Sequence, residues 1–291
     1  MRTFIAQHYD SQIRWVSQAY DMKKCQIFIT LTALALLVMN MSAQALVSTA
    51  IIPHKAAYVF ETVSVAQGGN VTDVTGGMTF EWADTCEGWA LDQHYLLRIS
   101  DRDGSETNFS TSNVSWEAKD GLRYRFSTRR RRNGTLTEDL RGDATLEAVG
   151  STGTVQFSRP KSHTILLPAG TKFPTKFMIS QMRSAAKGAR IVRDLVFEGS
   201  AVEGPQTVTT TFLPSRAPVK SELLKPPLGS SKIWPMYVAY FSTDNADGRA
   251  DTEFSINVQQ NGIVTEFVVD YGAFKLKAKL VKIETLPETG C

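Results

Sequence analysis

Apolar and polar residues alternate along much of this chain. In Leu122-Arg123-Tyr124-Arg125-Phe126 the apolar side chains take every second position and arginines the rest, the pattern of a strand with one dry face. Two runs rich in aromatic and branched residues flank the polar turn Asp84–Gly88 in VTGGMTFEWADTCEGWALDQHYLLRI. Asp120-Gly121 and Asn133-Gly134 tolerate the backbone of tight turns and mark hairpins in the next stretch. The scheme returns near the C-terminus, where Asn261-Gly262 makes a turn and two long strands follow, broken near Tyr271-Gly272. The expected class is mostly β.

One segment breaks the alternation. Phe177, Met178, Met182 and Ala185 fall at helical spacing in FPTKFMISQMRSAAKGAR, with Pro174-Thr175 as a start and Gly188 as a stop. A single short helix is therefore predicted near residues 174–188. The proline-rich pieces FLPSRAPVK and LLKPPLGSSKIWP read as loops or irregular edges. Neither has the length or polarity of a domain linker, and no internal repeat is visible, so residues 46–291 are expected to form one domain.

The first 45 residues have a different grammar. Lys23 and Lys24 precede an apolar run from Ile27 to Met39, and Ala43-Gln44-Ala45 supplies small residues at its exit. These are the parts of a secretory signal peptide over residues 22–45, cleaved between Ala45 and Leu46. The apolar run falls short of the roughly 20 residues of a spanning helix, so the mature protein is expected to be peripheral to the envelope. Residues 1–21 precede the basic start and read as a mis-assigned extension, with Met22 as initiator. Removing residues 1–45 takes four of 32 basic and two of 29 acidic residues, leaving 28 against 27, a net of +1. So neutral a chain has no general grip on polyanions, and nucleic acid is excluded as a partner.

Cysteine usage follows from export. Cys25 leaves with the leader, so Cys86 and Cys291 have one intramolecular pairing available in an oxidising compartment. Closing so long a loop is worth about 5 kcal/mol on the ideal chain-entropy model. It would tie the tail to the first hairpin, hold the last strand, and bring the two ends of the sheet together. The preceding Leu286-Pro-Glu-Thr-Gly290 looks like a sortase signal, but only Cys291 follows it, without an apolar span or basic tail.

Candidate chemistry is sparse. The run Arg129–Arg132 suggests a phosphate or lipid-headgroup contact, or a solvated hairpin tip balanced by Glu138, Asp139 and Asp143 with alternate arginines on opposite faces. It lacks the interleaved aromatics of a single-strand nucleic-acid surface. STDNADGRADTEF invites a calcium loop, yet an EF-hand fitted at Gly248 puts Thr243 and Phe254 at ligand positions, and both fail. His54, His94 and His163 lie far apart without metal-ligand spacing, and His54 and His94 are expected at strand positions, partly buried. There is no G-x-S-x-G elbow and no Cys-x-x-Cys pair. Asp84 and Glu87 flank Cys86 in a turn without forming an acid/base pair. No catalytic, cofactor-binding or metal-binding residue is expected, and the chain does not read as an enzyme.

Taken as a spaced set, PHKAAYVFE, MTFEWADTCEGWALDQ, LPAGTKFPTKFMISQMRSAAKGARIVRDLVFEGS, WPMYVAYF and NGIVTEFVVDYGAFKLKAKLVKIETL, with the terminal cysteine, resemble the EipB family. This covers nearly all of residues 53–291. The resemblance implies a periplasmic cell-envelope integrity protein of alphaproteobacterial type, tied to envelope stress, with a β-spiral fold: an open, bent antiparallel barrel. It also implies a disulfide at Cys86 and Cys291, a tetratricopeptide-repeat protein of the periplasm as partner, and no catalytic residue. The expected activity is binding of a protein segment or lipid on a concave sheet. A lipid or lipoprotein carrier of the LolA/LolB type is the alternative, and an envelope hydrolase, which would need a constellation the chain lacks, a third.

Overall fold

A computed structural model describes residues 51–218, 220–229, 231–242, 248–287 and 289–290. The expected extension, signal peptide, cleavage point Ala45–Leu46, Cys25, Thr243 and Cys291 lie outside them.

Among the described residues fifteen strands form a single sheet: β1 (His54–Val65), β2 (Val71–Asp84), β3 (Gly88–Asp101), β4 (Glu106–Ala118), β5 (Arg123–Arg132), β6 (Thr135–Leu146), β7 (Gly153–Arg159), β8 (His163–Leu167), β9 (Thr171–Lys172), β10 (Ile191–Val196), β11 (Gln206–Phe212), β12 (Ile233–Phe241), β13 (Thr252–Gln259), β14 (Val264–Asp270) and β15 (Phe274–Thr285). One helix, α1 (Pro174–Ala186), interrupts them among the described residues. The spatial order runs β8 to β1 by successive hairpins, then β15 back down to β9. All pairings are antiparallel except β9 with β10. The sheet curls into a nearly closed barrel whose end strands, β8 and β9, are not paired with each other, leaving a seam.

This topology corrects one expectation. The last strand, β15, lies between β1 and β14 in the middle of the sheet. A tie from the tail to the β2–β3 turn would therefore hold the centre, whereas the ends of the sheet are β8 and β9. LLKPPLGSSKIWP also ends in regular structure, since Ile233, Trp234 and Pro235 open β12. The β11 ladder begins one residue later, at Met236 with Phe212, so the missing N–H of Pro235 interrupts no rung there.

The turns are those the dipeptides predict. Asn133 (φ 49°) and Gly134 (φ 80°) reverse the chain between β5 and β6 with the two left-handed residues such a turn demands. Gly76 shows why side-chain size matters within a strand: at φ 155° a Cβ would sit 1.9 Å from the Leu96 carbonyl oxygen of β3.

Register sorts the faces. Tyr58, Met78 and Tyr95 lie side by side on β1, β2 and β3 and face inward, as do Phe60 and Ala278 across β1 and β15. Helix α1 fills one part of the barrel. Phe177, Met182 and Ala185 pack with Trp82 of β2, Val208 of β11, Trp234 and Met236 of β12 and Val258 of β13, all buried. A second core gathers Tyr124, Phe126, Phe157, Leu167, Phe173 and Phe197 beside the seam.

Candidate functional site

The seam is bridged by a strap, Phe197 to Ser200, which follows β10. Phe197 is fully buried in the aromatic core beneath β5, with ring centroids 5.5 Å from Phe126 and 6.3 Å from Phe157. Three inward side chains of β5 donate to the strap's carbonyls: Tyr124 Oη to Glu198 at 2.8 Å, Thr128 Oγ1 to Gly199 at 3.2 Å and Arg130 to Ser200 at 3.0 Å. Side chains here supply what a strand ladder supplies elsewhere. Gly199 (φ 67°) fits because a Cβ would collide with Phe126 at 2.4 Å.

Arg130 thus has a structural place. It faces inward and also pairs with Glu138, while Arg129 and Arg159 share Asp139 and Arg125 lies 3.4 Å from Asp143. Arg129 and Arg130 thus take opposite faces and pair with Asp139 and Glu138 of β6, while Arg132 lies over the Phe109 ring at 5.6 Å.

Helix α1 is docked by carboxylates from outside it. No side chain of its own caps its start, and its first turn has no acid. Glu117 of β4, 1% exposed, accepts the backbone N–H of Thr175 at 2.6 Å and of Lys176 at 2.8 Å. Burial raises its carboxyl to about 7, with the two backbone donors opposing that rise. Lower down, Asp194 of β10 takes Gln181 Nε2 and Lys172 Nζ, each at 2.6 Å.

Beyond the helix, the interior is less full. Tyr95 and Leu97 of β3, Phe109 of β4, and Phe267 and Val269 of β14 face inward by register yet are half-buried. A side chain that points into a filled core loses its contact with water; these keep part of theirs, so protein does not fill the barrel here. Phe60 stacks on Tyr95 at 6.5 Å and meets Phe267 at 6.2 Å, and Tyr58 lies 5.7 Å from Phe267. Near this wall stands Glu198 of the strap, whose Oε1 accepts the Tyr240 hydroxyl at 2.6 Å, and Arg132 lies over the Phe109 ring at 5.6 Å. Burial pushes the Glu198 carboxyl up, the tyrosine bond opposing it, and Tyr95 lies within electrostatic reach. An aromatic wall with one carboxylate can hold an apolar chain and orient a polar head.

Sequence reasoning missed Glu117 and Glu198, because their roles arise from residues 58 and 42 positions away. The aromatic alternation of β1 to β5 was a signal for the wall, without saying which face is concave. His54 and His94 occupy strand positions, but neither is partly buried. His54 is fully buried against Phe80 and Trp82, with Nδ1 2.7 Å from the Ile52 carbonyl oxygen, while His94 is exposed and 2.7 Å from Asp92. His163 lies elsewhere, stacked 4.5 Å from Phe157. Asp84 accepts the Cys86 N–H and pairs with Lys119 at 2.9 Å, which uses its charge structurally. Phe254 of the rejected calcium loop packs on Tyr240. No group of three or more His, Cys, Asp or Glu among the described residues is placed to hold a metal. Cys86 is disulfide-bonded. No helix among the described residues is long and apolar enough to cross a membrane.

Fold and interior together define a class: a nearly closed antiparallel barrel that keeps its own helix inside and leaves part of its aromatic wall unfilled. The chain belongs to the EipB-like family, which matches residues 45–287. It is 27% identical over 258 residues to the cell envelope integrity protein EipB of Brucella abortus (strain 2308), covering 86% of this chain and 91% of that protein. Its fold is similar, with a TM-score of 0.74, to the crystal structure of a beta-barrel-like protein of a domain of unknown function from Brucella abortus. That match is 25% identical and covers 82% of this chain and 99% of that one.

Proposed function

We propose that this is a non-enzymatic periplasmic protein that supports cell-envelope integrity by holding the apolar chain of a lipid inside its barrel. The relative named for envelope integrity supports the cellular role. The binding mode rests on one observation: Tyr95, Leu97, Phe109, Phe267 and Val269 face the interior and remain half-buried. Apolar area left reachable in a concave wall is area that a chain can cover, at about 25 cal/mol per Å². Native mass spectrometry of protein taken from periplasm without detergent tests it. Lipid adducts are expected, and Leu97→Trp, which fills the space, should remove them from a protein that still folds. Wild-type protein that carries no lipid and takes none from phosphatidylethanolamine vesicles would sink the reading. Passage of the bound lipid onward to vesicles would make the protein a carrier of the LolA/LolB type.

A protein segment is the second reading, and the seam favours it. Strand β8 pairs on one side with β7 and on the other with no strand among the described residues. An extended segment, such as one from a tetratricopeptide-repeat protein of the periplasm, would add a strand there. Cross-linking from a photoreactive residue placed at Leu166 would capture it.

A further inference from the structure

The carboxylates of the interior differ in one respect. Glu117 receives two backbone donors of α1, Asp194 receives Lys172 and Gln181, and Glu138 pairs with Arg130. Glu198 receives one neutral hydroxyl on Oε1, and its Oε2 takes no hydrogen bond from the described residues. No cation among them pairs with it. Arg130, which reaches the same strap, is spent on Glu138 and on the Ser200 carbonyl. Glu198 is half-buried, and a carboxyl partly withdrawn from water without a cation is stabilised by taking up a proton or by a charge partner.

Aromatic side chains stand near Glu198. Tyr240 holds it through its hydroxyl and packs on Phe254 at 5.8 Å, while Tyr95, stacked on Phe60, stands within its electrostatic reach. Ring faces attract cations, so a carboxylate beside aromatic side chains is a site for a positive group. The one cation seen on this wall among the described residues, Arg132, lies over the Phe109 ring rather than against Glu198.

We infer that the barrel interior selects amphiphiles with an ammonium head, the head lying against Glu198 among Tyr95 and Tyr240 and the tail running along Leu97, Phe109 and Phe267. This deepens the lipid reading and rests on it. The carboxylate then gains the partner the protein withholds, and the rings add cation–π attraction worth about 1 kcal/mol or more once water is displaced.

The test compares three tail-matched probes: dodecyltrimethylammonium, dodecyl maltoside and dodecyl sulfate. Each is titrated below its micelle concentration into the mature protein by calorimetry, with circular dichroism confirming the fold. The ammonium probe should bind roughly tenfold tighter than the maltoside, and the sulfate weakest. Glu198→Gln should erase the ammonium preference, bringing the ammonium probe down to the affinity of the maltoside. Tyr240→Phe, which keeps the carboxylate and removes its donor, should preserve the preference, so a folding defect in the glutamine variant cannot mimic the result. Tyr95→Leu, which keeps an apolar wall, should weaken the ammonium probe more than the maltoside. Equal binding of ammonium and maltoside, or a preference that survives Glu198→Gln, overturns the headgroup inference while leaving the lipid reading standing. Binding of none of the three overturns both. An ammonium preference shown by soluble tetramethylammonium, with no gain from the tail, would assign the site to a free cation and overturn the amphiphile.

Discussion

Glu117 does at one position what the helix cannot do for itself. The N-terminal N–H groups of a helix need acceptors, and α1 begins at Phe173-Pro174 with neither a side-chain cap nor an acid in its first turn. Glu117→Ala should orphan the Thr175 and Lys176 amides and destabilise the protein by about 2 to 3 kcal/mol in denaturant titration. Its titration adds a second test. The carboxyl has an ordinary value of 4.5 and is raised to about 7 in the fold, so between those values the folded state binds more protons than the unfolded one. Stability from this group is therefore full below pH 4.5, falls as pH rises toward 7, and is flat above, by about 3 kcal/mol at most. Glu117→Gln should remove that part of the slope. An unchanged slope would mean the carboxyl stays ionised against the two amides. Gly76 makes a simpler case at the same scale: Gly76→Ala places a methyl against the Leu96 carbonyl and should cost several kcal/mol or abolish folding.

Among the elements, the strap from Phe197 to Ser200 has the most to reveal, because it ties the two sides of the seam without strand pairing. Thr128 is 3% exposed, and Thr128→Val keeps its shape while removing the donor to Gly199. Local opening should then become easier by about 1 kcal/mol, read as faster amide exchange from Glu198 to Ala201 with the β2–β3 ladder unchanged. Exchange that rises equally everywhere would show that the strap opens only with the whole barrel. The elements also show what could be read from sequence. Alternation in Leu122–Phe126, the Asn133-Gly134 turn and the spacing of Phe177, Met182 and Ala185 are local signals, and β5, β6 and α1 stand where they point. The strap, the helix cap and the Glu198–Tyr240 contact are pairings between residues distant along the chain, and periodicity carries no information about them. His54 illustrates the gap: a strand position was legible, while its full burial depends on Phe80 and Trp82 of the neighbouring strand.

At the scale of the molecule, one strand joins two halves. The hairpins β1 to β8 form one run and β9 to β14 the other, and β15 connects them by pairing with β1 on one side and β14 on the other. Fraying of β15 would break the strand ladder between the halves, and chain ends fray unless tied down. We propose that Cys86 and Cys291 form the tie. Cys86 is disulfide-bonded, in a turn where it takes φ 63°. Near the chain end, Thr289 Oγ1 donates to the Asp84 carbonyl at 3.4 Å, which brings the tail to that same turn. The C-terminal end of β15, at Glu284 and Thr285, is the part that pairs with Lys55 and His54 and lies nearest the proposed tie. Cys86→Ser and Cys291→Ser should each lower stability by about 2 to 4 kcal/mol, below the ideal loop-closure figure because strain and residual unfolded structure erode it. The double variant should be no worse than either single one, since all three lose the same bond. Amide exchange should rise first along β15 and β1, because the loss is felt where the halves join. Non-reducing peptide mapping of protein from periplasm checks the connectivity directly. Free thiols at both positions, or a melting temperature indifferent to reductant, would show that the tail is held by its hydrogen bonds alone.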